Sequence, residues 1–508
     1  MIPDRRRSRR RTGRYIVPAA LALVAWGALA FGAVYPWAYY PLAAAAGIIG
    51  VAAVGQAFRR GRLHASDAVL LSALALVILG ACLQTVPLPR RLRTALSPAS
   101  EAYFREYDPA YRLAYEATQG SAAVLGALAP RSLPARPLSI EAAATWRAVL
   151  LLTAFTLLLA GLVRTFARRG ITRLARWLIA LGVIVALLGI VQKAVLGDHA
   201  FGGMKIYGFW EPTQKLTTPF GPFVNKNHFA GWMLLALPLA MGYFAGLAEG
   251  AASGARTWRS RLLWLSSQPG GQAQLLLLAI ALMALSLLMT LSRSGIAGLV
   301  IAVVLTCLAG IRAFGSVRTR IGLAVSLTLL IVVAVQWSSV NLAARFETVP
   351  EAVSLRLHAW RDAWTIAKDF PLTGTGLNTY AAATLKYQTG ERVLHFREAH
   401  NEYLQVAAEG GLLLGVPAAA ALIVFVWMVR RRFASARDDR LTHWVRVGAT
   451  TGLVAIALQS LVEFSLQMPG TAAFAVVLMA MALHEPMPPE PSRRRRESTL
   501  VIQTTATG

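Results

Sequence analysis

Two polar residues stand directly before a long apolar run of this 508-residue sequence and could do chemistry there. They are His400 and Asn401, and they lie in a polar stretch, 398–405, that leads into the run. Histidine is suited to general-base work near neutral pH, and the free backbone amides at the start of a helix attract anions. A lone histidine in such a position is more often structural, but the polar residues around His400 favour a functional site.

Arg293 is a second candidate, because it is isolated between two strongly apolar runs. Ionisable residues in such places are costly and often functional, although an arginine can also extend its side chain to phospholipid headgroups. A third polar stretch brings Asn225, Asn227 and His228 to the start of another apolar run. These three residues are candidates for substrate binding, and the alternative for Asn225 is that it caps the helix that follows.

The segment 348–371 has the pattern of an amphipathic helix, with a capping-box sequence at its start and Pro371 at its end. Apolar residues recur inside it at three- and four-residue steps, namely Val353, Leu357, Trp360, Trp364 and Ala367. Arg356 and Arg361 flank this stripe. The helix is therefore suited to lying at the membrane–water interface or to packing on a helix bundle, with Arg356 either a solvated flank or a functional cation.

The composition places these motifs in a membrane protein. The sequence is 56% hydrophobic and only 15% charged, which argues against a soluble enzyme. Its formal net charge of +27 lies in short clusters between apolar runs rather than on one polar face, so no nucleic-acid partner is expected. Cys82 and Cys307 each lie inside an apolar run, which gives no support for a disulfide framework or a cysteine-bound zinc.

The apolar runs are close to the length of about 20 residues that a helix needs to cross a bilayer. They lie near 15–34, 38–58, 67–86, 142–163, 174–196, 228–248, 273–291, 294–311, 321–339, 404–429, 443–464 and 468–484. The sequence therefore predicts an all-α polytopic membrane helix bundle with about twelve transmembrane helices. The first run follows a cluster of arginines, and its apolar stretch is too long for a typical signal peptide, so an uncleaved helix is favoured.

The charges of the loops predict the orientation of the bundle. With the amino terminus inside, every inner segment carries at least three arginines, whereas the short outer loops hold only Lys205, Lys215, Lys226 and Arg293. Both termini are thus predicted in the cytoplasm and the polar motifs on the outer face. Two outer segments are long, 87–141 and 340–403. The Gly374-Thr375-Gly376 sequence in the second lacks the third glycine of a nucleotide loop and is interpreted as a turn.

Several short motifs, taken together, resemble those of the O-antigen ligase and polymerase family of bacterial polytopic membrane proteins. The matching stretches are 221–231, 291–295, 356–364 with 371–376, 400–404 and 463–469. The resemblance covers about 217–470 and rests on the order of the motifs and their common outer placement. It implies a fold of the C-type glycosyltransferase kind, donors that carry a glycan on undecaprenyl diphosphate, and essential arginine and histidine residues in the large outer loop.

The resemblance and the apolar runs together divide the chain into four parts. The expected parts are a basic cytoplasmic tail at 1–14, amino-terminal transmembrane helices at 15–216 with the outer loop 87–141, a ligase-like transmembrane domain at 217–485 with the outer loop 340–403, and a disordered cytoplasmic tail at 486–508. The 87–141 loop has no counterpart in the best-known ligases, and this leaves the acceptor open.

With such a donor, the residues favour an inverting displacement on the outer face of the inner membrane, without metal or cofactor. No aspartate stands two residues from another, so the paired carboxylates that hold a metal in many nucleotide-sugar transferases are missing. Arg293 and Arg356 would bind the diphosphate leaving group, and His400 would accept the proton of the acceptor hydroxyl. The predicted substrate-binding residues are Asn401, Asn225, Asn227, His228 and Arg361.

A transporter or flippase of lipid-linked glycan is the alternative function, since twelve spans and cytoplasmic termini fit it equally well. Transporters place ionisable groups near the bilayer midplane, whereas the spans here are almost free of charge, with Glu463 the closest to an exception. Within transfer, a ligase that completes lipopolysaccharide and a polymerase that extends an exopolysaccharide both stay open, as does a protein acceptor. The expected partners are the lipid-linked donor, a lipid or glycan acceptor, and membrane lipids.

Overall fold

The structure, a computed structural model, describes residues 5–59, 65–118, 133–165, 168–196, 205–213, 218–254, 266–313, 349–390, 395–435 and 439–485, together with Thr257, Arg259, Leu263 and Trp264. The described residues form sixteen α-helices and, apart from isolated bridges, no β-structure, which confirms the all-α class. In chain order these are α1 (Arg5–Leu29), α2 (Pro36–Arg59), α3 (Ala65–Gln84), α4 (Arg90–Leu96), α5 (Pro98–Tyr107), α6 (Pro109–Thr118), α7 (Ala142–Val163), α8 (Arg168–Leu196), α9 (Lys226–Gly254), α10 (Gln268–Met289), α11 (Arg293–Ala313), α12 (Val349–Asp369), α13 (Tyr380–Tyr387), α14 (Glu402–Ala434), α15 (Arg440–Gln459) and α16 (Pro469–Ala482).

Within the described ranges, nine helices are long and apolar enough to cross a bilayer, and the apolar part of α1 and helix α16 are shorter apolar segments. These segments correspond to eleven of the twelve predicted runs, and the polytopic helical fold is thereby confirmed. The remaining run, 321–339, lies outside the described residues, so the count of twelve stays a prediction. Helix α15 ends at Gln459 and not at the predicted 464. After Gln459 the chain leaves the helix and forms a turn.

The bundle is held together by close helix crossings at glycines, in particular between α9 and α15 and between α2 and α7. A methyl group added at Gly448 of α15 would lie 2.5 Å from the Pro238 carbonyl oxygen of α9. A methyl group at Gly161 of α7 would lie 2.7 Å from the Gly50 carbonyl oxygen of α2. Small residues of this kind let the backbones of membrane helices approach each other. Helix α9 is the most buried of the nine spans, so it forms the centre of the bundle.

A buried charge network ties together one end of the bundle. Arg164, after α7, donates to both oxygens of Asp67 in α3 and to Glu485, which follows α16. Arg432 of α14 also pairs with Glu485, at 3.1 Å. Buried charges are stable only when they are paired and hydrogen-bonded, and this network satisfies that condition across four segments of the chain.

The opposite end, at which α9 and α14 begin and α15 ends, is called the site end. The segments around α4–α6 and α12–α13 cover it as one layer. Lys386 of α13 pairs with Glu106 of α5 at 2.7 Å, and the Ile140 backbone amide donates to the Thr375 carbonyl at 2.9 Å. Inside the first segment, the fully buried Arg93 is neutralised by Glu101. The two long loops predicted from the sequence therefore contact each other.

Helix α12 confirms the predicted amphipathic helix. The face that it buries against the protein, however, differs from the predicted apolar stripe. Ala359, Ala363 and Ile366 are fully buried among α12, α13 and α14, whereas Leu357 and Trp364 of the stripe are exposed. Small residues face the bundle because α14 packs closely against α12. Leu357 and Trp364 stay exposed on the surface of the helix, as the interfacial alternative requires, whereas Trp360 is partly buried.

Candidate functional site

Glu463 is the centre of a polar cluster at the site end. It lies in the turn after α15, and only 1% of its side chain is exposed. Its Oε1 atom accepts a hydrogen bond of 2.9 Å from Asn227 Nδ2, in the first turn of α9. The same oxygen accepts a hydrogen bond from the Arg356 guanidinium of α12. A buried carboxylate needs such a cation and such donors, so the fold itself brings Asn227 and Arg356 together.

His400 lies on the other oxygen of the same carboxylate. Its Nδ1 atom is 3.6 Å from Glu463 Oε2, just beyond hydrogen-bond distance. His400 has a positive φ of 50°, which is uncommon for a residue other than glycine, and Trp360 Nε1 of α12 donates to its carbonyl at 3.3 Å. Since Nδ1 is buried and 25% of the side chain is exposed, the accessible edge of the ring is the edge that carries Nε2.

The charge of Glu463 is stabilised by its neighbours. Burial by itself would raise the pKa of this carboxyl group, but the His400 ring and the Arg356 charge outweigh burial, and the pKa is lowered. Glu398, close to His400 in the chain, behaves in the opposite way, since burial raises the pKa of its carboxyl group. The pKa of Glu463, beside the imidazole, is therefore lowered, while the pKa of the nearby Glu398 is raised.

Phe464 separates the two histidines of the cluster. The rings of His400 and His228 both pack edge-on against the Phe464 ring, each with ring centroids 4.8 Å apart. His228, in the first turn of α9, is only 6% exposed. It therefore lies in the wall of the cluster rather than at its surface, and its predicted role in substrate binding stays a prediction.

Two asparagines predicted to bind substrate cap the helices that carry the cluster. Asn225 Oδ1 accepts from the Asn227 backbone amide at 2.8 Å, at the start of α9. Asn401 Oδ1 accepts from the Leu404 amide at 3.1 Å, at the start of α14. Both side chains thus satisfy backbone donors that a helix start leaves free. Capping was the alternative for Asn225, and for both residues a contact with sugar stays a prediction.

The two remaining arginines differ in their position relative to the cluster. Arg293 begins α11 at the site end, where the neighbouring Ser294 hydroxyl lies 3.4 Å from Gln459 Nε2 of α15. Its side chain is exposed, and within the described part of the chain no hydrogen bond or ion pair joins it to another residue. Arg361 is exposed on α12, and no described residue links its side chain to Glu463. Arg293 is thus available to a ligand at the site end, while Arg361 stays a predicted contact without a structural link to the cluster.

The Gly374-Thr375-Gly376 sequence forms a turn, as interpreted from the sequence. It wraps around a kink in α14 at Gly411, and the Gly376 amide donates to the Glu409 carbonyl at 3.0 Å. Gly374 has a φ of 64°, and a side chain there would collide with the Glu409 backbone. Gln84 at the end of α3 binds the Thr373 carbonyl at 2.6 Å. The turn is structural and positions the segment between α12 and α14.

The candidate functional residue that the sequence prediction did not include is Glu463. Its signal was present, since it is a single acidic residue at the end of an apolar run, and isolated ionisable residues in such places are often functional. Glu409 gave a similar signal, and its buried carboxylate accepts from the Asn378 amide at 2.6 Å and the Tyr380 amide at 3.0 Å. One of these carboxylates faces a histidine, whereas the other accepts from two backbone amides and the Gln405 side-chain amide, and this difference depends on tertiary contacts.

The arrangement can orient an imidazole for proton transfer. A carboxylate beside Nδ1 favours the tautomer that carries its proton on Nδ1, and this leaves Nε2 as the acceptor. The guanidinium groups of Arg356 and Arg293 supply positive charge at the same end of the bundle. Among the residues that the structure describes, no group of three or more His, Cys, Asp or Glu side chains is placed to hold a metal ion.

The comparisons with known proteins agree with the motifs. Residues 278–418 match the family model described as O-antigen ligase. This stretch includes Arg293, Arg356 and His400, while Asn227 and Glu463 lie on either side of it. No curated protein matches the chain. This match confirms, over residues 278–418, the family resemblance seen in the short motifs.

Proposed function

We propose that the protein transfers an oligo- or polysaccharide from undecaprenyl diphosphate to a lipid or glycan acceptor, by an inverting displacement that needs no metal. One observation carries this proposal more than any other. His400, Arg356 and Asn227 come from three distant segments and meet on the two oxygens of the buried Glu463. In this proposal, a membrane helix bundle that resembles the O-antigen ligase family over residues 278–418 has a base, an orienting carboxylate and a cation at one end.

In this proposal the site end faces the outside of the bacterial inner membrane, and both termini are cytoplasmic. The arginine-rich segments support this orientation, because they follow or precede the opposite ends of the spans. The polar clusters also lie at the ends of the bundle instead of near its middle, which favours surface chemistry on a lipid-linked glycan over transport through the bundle.

The reaction proceeds as one displacement at the anomeric carbon of the donor. The acceptor hydroxyl gives its proton to His400 Nε2, and its oxygen forms the new glycosidic bond. The bond between the anomeric carbon and the diphosphate oxygen breaks, and the electron pair leaves with the lipid diphosphate. Attack opposite to the leaving group inverts the anomeric configuration. Glu463 stabilises the imidazolium that forms and keeps the ring in place.

The arginines act on the leaving group. Arg356 is engaged by Glu463, but 36% of its side chain is exposed, so its remaining N–H groups are available to a phosphate oxygen. Arg293 is exposed at the start of α11, where its guanidinium can bind the second phosphate. Both cations would stabilise the charge that develops on the diphosphate as the bond breaks.

Transfer by purified protein tests the proposal. The protein is reconstituted in vesicles with a lipid-diphosphate-linked oligosaccharide and a candidate acceptor, and release of the lipid diphosphate is followed. His400→Gln should reduce turnover by at least about a hundredfold, because an amide keeps a hydrogen bond but cannot accept the proton. His443→Gln, at the start of α15 and the opposite end of the bundle, serves as the matched control and should keep normal turnover. Turnover of His400→Gln close to the wild-type rate would overturn the assignment of the base.

A further inference from the structure

Six aromatic residues, three of them exposed, form a compact cluster at the site end, here called the aromatic platform. They are Phe31, Tyr35, Trp37, Tyr207, Phe209 and Trp210. Three ring pairs are stacked within the platform, with centroids 5.0 Å apart for Phe31 and Trp210, 6.3 Å for Tyr35 and Trp37, and 6.1 Å for Tyr207 and Phe209. Phe209 is 71% exposed and Trp37 is 46% exposed, so ring faces remain open.

A short hairpin presents two of these rings. Ile206 and Trp210 exchange both backbone hydrogen bonds, at 2.8 and 3.0 Å, and the chain reverses through Tyr207, Gly208 and Phe209. Tyr207 has a φ of 57°, and Phe31 on the neighbouring segment has a φ of 58°. Non-glycine residues are held in this region only when the surrounding structure demands it, and such positions cluster at functional sites.

Two polar groups of the platform donate hydrogen bonds within the protein. The Tyr207 hydroxyl donates to the Leu29 carbonyl at 2.6 Å, and Trp210 Nε1 donates to the Tyr35 hydroxyl at 3.4 Å. In an aromatic belt at a membrane interface, these polar groups face water and lipid headgroups while the rings contact lipid. Here the same groups fix the rings in one arrangement, as a preorganised binding surface requires.

The platform is continuous with the site. Phe31 and Trp210 pack with Val224, which precedes Asn225, the cap of the helix that carries Asn227. A chain bound on the platform would therefore extend toward the Glu463 cluster. Lys205 and Glu211 flank the hairpin and are exposed, so groups that can bind hydroxyls lie beside the rings.

We propose that the aromatic platform binds the glycan of a substrate, with pyranose rings stacked on Phe209, Tyr207 and Trp37. The apolar face of a pyranose, with its axial C–H groups, matches an open aromatic ring face, while its hydroxyls match the flanking charged groups. This inference rests on the proposed function and adds to it a subsite for sugar units remote from the reacting bond. An exposed aromatic patch bound to a ring of similar size contributes a modest affinity, of about three- to tenfold per stacked ring.

The test compares Phe209→Ala with the matched control Trp177→Ala, which removes an exposed aromatic ring from α8, outside the platform. Full-length protein in nanodiscs is given two donors on the same lipid diphosphate, one with a single sugar and one with a full oligosaccharide. Phe209→Ala should raise KM for the long donor by about three- to tenfold with kcat within about twofold, and leave both constants unchanged for the single-sugar donor. Phe209→Trp should restore the wild-type KM.

A second measurement separates this inference from the proposed reaction. The probe is the lipid-free oligosaccharide released by mild acid from the same donor, and its binding is followed by saturation-transfer NMR. Wild-type protein and Trp177→Ala should saturate the sugar protons, and Phe209→Ala should lose most of that signal. If neither donor is transferred by wild-type protein, the proposed reaction fails, and the NMR result still decides the platform. An equal effect of Phe209→Ala on both donors would identify the ring as a membrane anchor and overturn the inference, as would unchanged NMR binding.

Discussion

Replacing Glu463 by glutamine tests the catalytic cluster with the smallest change of shape. Glu463 Oε1 accepts hydrogen bonds from both Asn227 and Arg356. In the variant, these two donors require the side-chain oxygen of the glutamine at the same position. The amide nitrogen of the glutamine must then face His400 Nδ1, where the wild-type protein has Oε2 at 3.6 Å. An N–H donor opposite Nδ1 favours the tautomer with its proton on Nε2, and that tautomer cannot accept the proton of the acceptor.

The expected loss follows from this change of tautomer. Replacing the carboxylate of a serine-protease triad by its amide costs about 10⁴-fold in kcat for the same reason. His400 is partly exposed and its contact with Glu463 is long, so we expect a loss of about 10²- to 10³-fold, or about 3 to 4 kcal/mol of barrier. The variant should fold, because the amide oxygen keeps the bonds from Asn227 and Arg356.

The assay is transfer from the lipid-linked donor, measured as kcat and KM. Glu463→Gln should lower kcat, and the double variant Glu463→Gln/His400→Gln should be no slower than His400→Gln alone, because both changes disable one unit. Glu249→Gln is the matched control, since Glu249 also pairs with an arginine, Arg440, at 3.5 Å but lies at the opposite end of the bundle. More than a tenth of wild-type kcat in Glu463→Gln, at normal expression, would show that Glu463 does not orient the base.

Four further predictions follow from the site and its placement. Arg293→Ala should lower turnover by at least about a hundredfold, and Arg293→Lys should rescue it poorly, since an ammonium cannot make the forked contact to two phosphate oxygens. Arg430→Ala, at the opposite end, should have almost no effect on turnover. Equal turnover in all three variants would show that Arg293 only contacts lipid. Transfer should survive thorough chelation, and a restorable magnesium or manganese requirement would contradict the proposed chemistry. In a background without native cysteines, a cysteine at the exposed Thr365 position should react with an impermeant thiol reagent from outside and one at Ser435 should not, with reversed labelling refuting the orientation. Because the pKa of Glu463 is lowered in the folded protein, its charge stabilises the fold above its ordinary pKa, and this stabilisation is lost as the pH falls through the lowered value. The Tm difference between wild type and Glu463→Gln should therefore shrink below about pH 4. A Tm difference that stays constant with pH would contradict the lowered pKa.

Much of the architecture could be predicted from the sequence, because transmembrane helices are encoded locally. An apolar run of sufficient length has to satisfy its backbone within itself, and so α9, α10 and α14 are recognisable before any contact is known. The positions of His400, Arg293 and Asn227 next to such runs were equally visible. The exact end of a span was not, since α15 stops at Gln459 although the predicted run continues to 464.

The face of α12 could not be predicted from periodicity alone. Its strongest apolar stripe contains Trp364, which is exposed, while the buried face is built from Ala359 and Ala363. Large apolar side chains avoid water. In a membrane protein they can do so by contacting either lipid or other parts of the protein. Close packing selects small residues at helix contacts, and this selection depends on the neighbouring helix.

The sequence by itself determined the class of protein, the helical segments, the polar motifs at their ends and the family resemblance. Only the tertiary structure decided which motif residues act together. It made Glu463 the common partner of His400, Arg356 and Asn227, placed Asn401 and Asn225 as helix caps, and left Arg361 outside the cluster. The physical reason is that a residue's type and local pattern specify its secondary structure, whereas a buried carboxylate finds its cation and its imidazole through contacts between segments 63 to 236 residues apart.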